Sequence, residues 1–109
     1  MDYSFEKRFN TEKNAWDISV TGEIDIFNSG DFKSELMEAV TENPKDLRIN
    51  CEKLKYIDST ALGSLVAVLK NVKVYQGEIF LMNLRSSLIK LFKITNLDKA
   101  FIIEGAAND

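Results

Sequence analysis

The sequence predicts a single α/β domain in which a mixed sheet of four to five strands, opening with a hairpin, is packed with about four helices. Two early runs alternate apolar and polar residues, and the later segments alternate between strand-like and helix-like periodicity. No repeat, linker or low-complexity tract divides the 109 residues, and a hydrophobic content of 45% suffices for one packed core. We therefore expect residues 1–109 to form one domain.

The first two strands are predicted to form a β-hairpin. Apolar and polar residues alternate along Tyr3–Phe9, which is typical of a half-exposed strand at a sheet edge. The alternation resumes in "AWDISVTGEID" until Gly22 interrupts it. The polar segment Asn10–Asn14 is the expected turn.

A first helix and a central strand are predicted next. Asn28 can cap a helix, with the negative charge of Asp31 in its first turn and apolar residues at helical spacing through Val40. The run "LRINC", Leu47–Cys51, is short, apolar and flanked by charge, as expected of a central strand.

The remaining chain predicts two more helices and two strands. An apolar stripe at helical spacing extends from Ser59 to about Gln76, and Gly77 is expected to end that helix. The run "EIFLM" predicts a buried strand, and Ser86 begins an amphipathic helix that Asn96 can end in the left-handed conformation. A last short strand is predicted at "FIIE".

The composition argues against several classes of function. The net charge of −3 provides no broad basic field for direct binding of nucleic acid. Histidine is absent, and Cys51, the one cysteine, cannot form an internal disulfide, so we expect no metal, no cofactor and a buried Cys51. Neither a Walker-type loop nor a dinucleotide fingerprint occurs, so any ATP would come through a partner.

The chain is expected to be cytoplasmic and not inserted in a membrane. Its beginning, "MDYSFEKRF", lacks the basic region and apolar run of a secretory signal. No apolar stretch approaches the ~18 residues that a membrane-spanning helix requires.

The stretch "YIDSTALG", Tyr56–Gly63, joins a strand-like run to the second helix and carries the candidate site. Backbone N–H groups and the helix dipole converge at such junctions. Asp58 or Ser59 can serve simply as the helix N-cap. Ser59 can also be a hydrolase nucleophile. Without histidine it would require a buried neutral lysine as its base, and the sequence lacks the G-x-S-x-G elbow. Alternatively, Ser59 accepts a phosphate from another protein.

Four segments together resemble a STAS domain of the bacterial anti-sigma factor antagonist type, in order and over nearly the whole chain. They are "TGEIDIFNSGDFKSEL", "INCEKLKYIDSTALGSLVAVLK", "GEIFLMNL" and "SSLIKLFKITNLDKAF". The most specific element is a seven-residue motif at the end of a strand. It consists of an apolar residue, then Asp and Ser, then either Ser or Thr, and finally Gly, Leu and Gly. It appears here as Ile57–Gly63, with Ala61 in place of the first glycine.

The resemblance implies a phosphoprotein that regulates transcription by partner switching and is not an enzyme. In that family an anti-sigma factor that is also a serine kinase phosphorylates the serine after the aspartate, here Ser59, and a serine phosphatase reverses this. The unphosphorylated form binds the anti-sigma factor and frees the sigma factor, whereas the phosphorylated form does not bind. Asp25 in "GEID" and Asp58 match family acids close to that serine.

Four other residues belong to the candidate surroundings. Thr60 lies beside the acceptor, and Gly63 leaves a flank of the helix without bulk, which would allow a partner to approach closely. The Ala61 methyl group would either slow phosphorylation or change the preferred partner. Alternatively, it would only stabilise the first turn of the helix. We expect Phe27 to pack as a hydrophobic staple at the first helix, the alternative being an exposed partner anchor.

An alternative among binding modules is a STAS subunit of another sensory or membrane-associated complex that controls no sigma factor. A neighbouring gene for an anti-sigma kinase would favour the first interpretation. Labelling of Ser59 by a fluorophosphonate probe would instead indicate a hydrolase.

Overall fold

The structure is a computed structural model that describes residues 3–108. These residues form one six-stranded sheet, three α-helices and a short 3-10 helix. In chain order the elements are β1 (Tyr3–Asn10), β2 (Ala15–Ile24), α1 (Ser29–Glu42), β3 (Asp46–Asn50), β4 (Leu54–Ile57), α2 (Ser59–Val74), β5 (Ile79–Met82), α3 (Ser86–Ile94), the 3-10 helix (Leu97–Lys99) and β6 (Ile102–Glu104).

The α/β fold class is confirmed, but the sheet has one strand more than predicted. The additional strand, β4, is four residues long, and its two buried residues, Leu54 and Ile57, flank two exposed ones. This order lacks the alternation by which a strand is recognised, so the pairing of β4 with β2 determines its conformation. In place of a fourth α-helix, the described chain has the single turn Leu97–Lys99.

The predicted hairpin is confirmed, because β1 and β2 pair antiparallel with β1 at the edge of the sheet. Every other pair of strands within residues 3–108 is parallel, in the order β1-β2-β3-β5-β6. The long strand β2 pairs with β3 along Ala15–Ser19 and with β4 along Gly22–Ile24. The register shifts at Gly22, whose φ of 96° suits a bulge there.

One hydrophobic cluster joins a face of the sheet to all three helices. It includes Ile18, Val20, Leu47, Ile49 and Leu81 from the strands and Phe32, Leu36, Leu65, Val68 and Phe92 from the helices. Cys51 is buried as predicted, and burial raises the pKa of its thiol to about 12. Among residues 3–108, no helix combines the length and the hydropathy needed to cross a bilayer.

The helix α2 ends at Val74, about two residues before the predicted end. Gln76, and not the glycine expected to end the helix, takes the left-handed conformation, with φ of 65°. The N–H of Gly77 bonds the carbonyl of Val72 at 3.0 Å, and the N–H of Gln76 bonds that of Lys73 at 3.0 Å. This pair of bonds requires the left-handed residue one position earlier. Asn96, with φ of 63°, ends α3 as predicted.

Candidate functional site

The predicted junction lies where β2 and β4 end side by side. Ile24 and Ile57 are partners in the parallel register, and the N–H of Asp58 donates to the carbonyl of Ile24 at 3.1 Å. Asp25 and Asp58 therefore follow matching positions on neighbouring strands. Because both strands run in the same direction, their acids reach the same edge of the sheet.

The Asp58 side chain fixes the start of α2. One carboxylate oxygen accepts a hydrogen bond from the N–H of Ala61 at 2.8 Å, which makes Asp58, and not Ser59, the N-cap. The other oxygen accepts from the N–H of Ile26 at 2.9 Å. A single side chain thus joins α2 to the loop after β2.

Asp25 is buried, with 6% of its surface exposed, and organises that loop from within. Its carboxylate accepts from the N–H of Phe27 at 2.9 Å and from that of Asn28 at 3.3 Å. The Asp25 N–H in turn donates to the Asn28 side-chain oxygen at 2.9 Å. The loop Asp25–Asn28 is therefore closed by hydrogen bonds of its own residues.

Asn28 occupies the N-cap position of α1, but the prediction that its side chain caps the helix is wrong. Its amide nitrogen donates to the carbonyl of Glu23 at 2.9 Å while its oxygen accepts from Asp25. The amide therefore satisfies two backbone groups of the loop and leaves the first turn of α1 without a side-chain cap.

Ser59 and Thr60 are the first two residues of α2, and both are exposed. Within residues 3–108, no lysine or other side chain forms a hydrogen bond to the Ser59 hydroxyl. A serine nucleophile needs such a base within reach, so this geometry does not support a hydrolase. The hydroxyl is open to an enzyme approaching from solvent.

Ala61 and Gly63 differ in what they contribute. The Ala61 side chain is fully buried, so it takes part in the site through its N–H, whereas its methyl group lies in the core. Gly63 is exposed, and a methyl group there would meet no neighbouring part of the described chain within 4 Å. Ser59 and Gly63 are four residues apart and share one face of α2.

Phe27 does not form the expected hydrophobic staple. Its side chain is 90% exposed and so does not pack on α1, while its N–H is bonded to the Asp25 carboxylate in the loop. Ile26 and Tyr56 are also exposed, at 64% and 50%. Sequence reasoning missed these two residues, and the one local signal was the apolar pair "IF" directly after an acid at a strand end.

The part of the chain that the structure describes has no group of three or more acidic or cysteine side chains that could hold a metal ion. Asp25 and Asp58 instead accept hydrogen bonds from backbone N–H groups. The two carboxylates therefore act by holding the backbone of the loop and of the helix start next to Ser59.

Both the sequence and the fold are similar to those of known proteins. The sequence pattern of the STAS domain matches residues 7–108. The anti-sigma-B factor antagonist of Bacillus subtilis is 38% identical over 85 residues, which are 78% of this chain and 77% of that protein. That of Staphylococcus aureus is 28% identical over 96 residues, 87% of this chain and 89% of that one.

Solved structures share the fold at lower sequence identity. A candidate anti-sigma factor antagonist from Thermotoga maritima superposes with a TM-score of 0.81 at 22% identity, covering 92% of this chain and 85% of that one. The phosphorylated form of the Bacillus cell fate determinant SpoIIAA superposes with a TM-score of 0.72 at 19% identity. The match covers 92% of this chain and 90% of that one.

Proposed function

The chain belongs to the STAS domain family, which confirms the resemblance, and we propose that it is an anti-sigma factor antagonist switched by phosphorylation of Ser59. The unphosphorylated form binds an anti-sigma factor that is also a serine kinase, and this frees a sigma factor. Phosphorylated Ser59 prevents the binding, and a serine phosphatase restores it. The observation that carries the proposal is the exposed, unpaired Ser59 hydroxyl directly after the Asp58 cap.

The position of Ser59 suits a phosphate. Ser59 is the first residue of α2, where the N–H groups of the first turn have no partner within the helix. A negative charge there gains about 0.3–1 kcal/mol from the helix dipole. The folded domain can therefore hold the phosphate, so phosphorylation is expected to leave the fold intact.

The same phosphate opposes the association with a partner. It adds about −1.5 to −2 charges next to the carboxylate of Asp58. The carboxylate of Asp25 follows the end of the neighbouring strand β2. The ion pairs of residues 3–108 involve neither acid, so no lysine or arginine in this part of the chain pairs with their carboxylates. A partner would have to desolvate this accumulated charge, and we therefore expect loss of binding.

The remaining parts of the proposal concern the setting of the reaction. The chain itself supplies no catalysis, and ATP enters only through the partner kinase. A cytoplasmic location follows, because the proposed partners act in transcription. We propose that residues 1–109 act as one domain in this exchange of partners.

Phosphate mapping tests the acceptor. The protein is incubated with the anti-sigma kinase of the same bacterium and ATP, and mass spectrometry locates the phosphate. Wild type and Thr60→Ala are expected to be modified at Ser59, whereas Ser59→Ala is expected to remain unmodified. Thr60→Ala is the matched control, since it removes the neighbouring exposed hydroxyl. Phosphate at an unrelated residue of the wild type would contradict the assignment.

Titration calorimetry tests the switch. Ser59→Asp, which places a charge on the first residue of α2, is expected to weaken binding of the anti-sigma factor at least tenfold, about 1.4 kcal/mol. The thermal melt by circular dichroism should stay nearly unchanged, because Ser59 is exposed. Equal affinity of the two forms would remove the switch mechanism.

A further inference from the structure

Three exposed apolar side chains lie beside Ser59. The structure describes five large hydrophobic residues that are strongly exposed, and Ile26, Phe27 and Tyr56 are three of them. The other two, Val74 and Ile94, are the last residues of α2 and α3. We call Ile26, Phe27 and Tyr56 the apolar cluster.

The apolar cluster and the phosphoacceptor belong to one surface. Ile26 is joined through its N–H to Asp58, the residue before Ser59. Tyr56 precedes Asp58 by two residues and lies opposite Glu23 in the register of β2 and β4. Tyr56 thus lies three positions before Ser59, which corresponds to at most about 11 Å between their Cα atoms in an extended chain. A protein that reaches the Ser59 hydroxyl therefore has the cluster within its footprint.

The loop that presents the cluster is ordered before any partner arrives. Both apolar residues of the loop have their N–H bonded to a carboxylate, Ile26 to Asp58 and Phe27 to Asp25. The Asn28 side chain closes the loop by bonding to Glu23 and Asp25. Little backbone entropy remains to be lost on binding, so burial of the cluster is converted efficiently into affinity.

We propose that Phe27, supported by Ile26 and Tyr56, is the anchor that enters an apolar pocket of the anti-sigma factor next to the phosphoacceptor; this rests on the proposed function. Large aromatic side chains that are buried on association dominate the energy of protein interfaces. Phe27 is the most exposed large apolar residue of the described chain, so it has the most apolar surface to bury.

The anti-sigma factor is a more suitable occupant than a second copy of the chain. The cluster is continuous with Ser59, and a kinase must bring its own active site against that hydroxyl. The open flank at Gly63, on the same face of α2 as Ser59, extends this surface without a steric obstacle. One surface can thus serve both binding and phosphorylation.

Alanine substitution with matched controls tests the anchor. Titration calorimetry measures the affinity of the unphosphorylated protein for the anti-sigma factor of the same bacterium. Phe27→Ala is expected to weaken binding at least about 30-fold, the size of an interface hot spot. Val74→Ala and Ile94→Ala, at 83% and 82% exposure, should stay within about twofold, as expected for truncation outside an interface. All variants should melt like the wild type, because the substituted side chains are exposed.

Three outcomes would overturn the proposal. If Phe27→Ala binds like the wild type while Ser59→Asp does not bind, the switch stands and the anchor is wrong. If instead Phe27→Ala lowers the sedimentation coefficient at high concentration without changing this affinity, the cluster joins copies of the chain. Absence of binding by the wild type itself would remove the proposed function, and the anchor with it.

Discussion

The Asp58 carboxylate accepts a hydrogen bond of 2.9 Å from the N–H of Ile26, while its other oxygen caps α2. Ile26 belongs to the loop after β2, and Asp58 begins the segment after β4, 32 residues further along the chain. One side chain therefore sets the loop of the apolar cluster relative to Ser59.

Asp58→Ala is expected to lower the free energy of unfolding by about 1–3 kcal/mol. The substitution removes the cap and leaves the N–H groups of Ile26 and Ala61 without an acceptor. Asp58→Asn should lose less, because its single amide oxygen can keep one bond. Asp31→Ala, in the first turn of α1, is the control and should lose under about 1 kcal/mol. Equal losses of unfolding free energy for Asp58→Ala and Asp31→Ala in urea titrations would contradict the role of Asp58 in joining the loop to α2.

Ala61→Gly restores the residue usual in the family and separates a steric effect from a structural one. Because the methyl group is buried, we expect an unchanged rate of phosphorylation by the partner kinase. The free energy of unfolding should fall by about 1–2 kcal/mol, from the helix propensity of alanine and the lost methyl burial. Faster phosphorylation of a variant that keeps its fold would instead indicate that the methyl group hinders the kinase.

Gly77→Ala and Gly63→Ala are expected to change stability in opposite directions. A methyl group at Gly77 would lie 2.7 Å from the Tyr75 ring and 2.9 Å from a methyl group of buried Val72, so we expect a loss of about 1–3 kcal/mol. At Gly63 nothing obstructs it, and alanine in a helix should gain about 0.5–1 kcal/mol. Urea midpoints measure the stability of both variants. A Gly77→Ala variant as stable as the wild type would show that the Tyr75 ring moves to accommodate the methyl group.

Unfolding is expected to become easier between about pH 10 and pH 12, partly through Tyr75. Burial, and then the nearby Asp46, raise the pKa of Tyr75 to about 12, from about 10 in an unfolded chain. Its hydroxyl donates to the Lys45 carbonyl at 2.9 Å, which the neutral form alone can do. This stabilisation is complete below pH 10 and is lost as the pH rises through the folded pKa.

Urea midpoints measured at several pH values test the role of Tyr75, with Tyr75→Phe as the variant. Its stability should fall less steeply above pH 10 than that of the wild type. Tyr3→Phe is the companion variant, because burial and then Glu35 also raise the pKa of Tyr3. An identical pH dependence of Tyr75→Phe and wild type would assign the alkaline loss to other groups.

Much of the fold could be predicted from local pattern. The alternation in β1 and β2 predicted the hairpin, and the apolar run after Asp46 predicted the central strand β3. Periodicity did not predict the strand β4, because its four residues have no alternation and depend on β2 for their hydrogen bonds; the family motif alone implied that a strand ends at Ile57. The role of Asn28 was also misread, since its side-chain partners lie in the loop before α1 and not in the helix.

The sequence by itself determined the inventory and the order of elements: no histidine, a single cysteine, an Asp-Ser-Thr run at the start of a helix, and the family motif around it. The tertiary structure decided which groups meet. The pairing of β2 with β4 brings Asp25 and Asp58 to one edge, engages their carboxylates with backbone N–H groups and turns Phe27 into solvent. Periodicity reports the neighbours along a chain, whereas hydrogen bonds between residues 32 positions apart exist only once the strands have aligned.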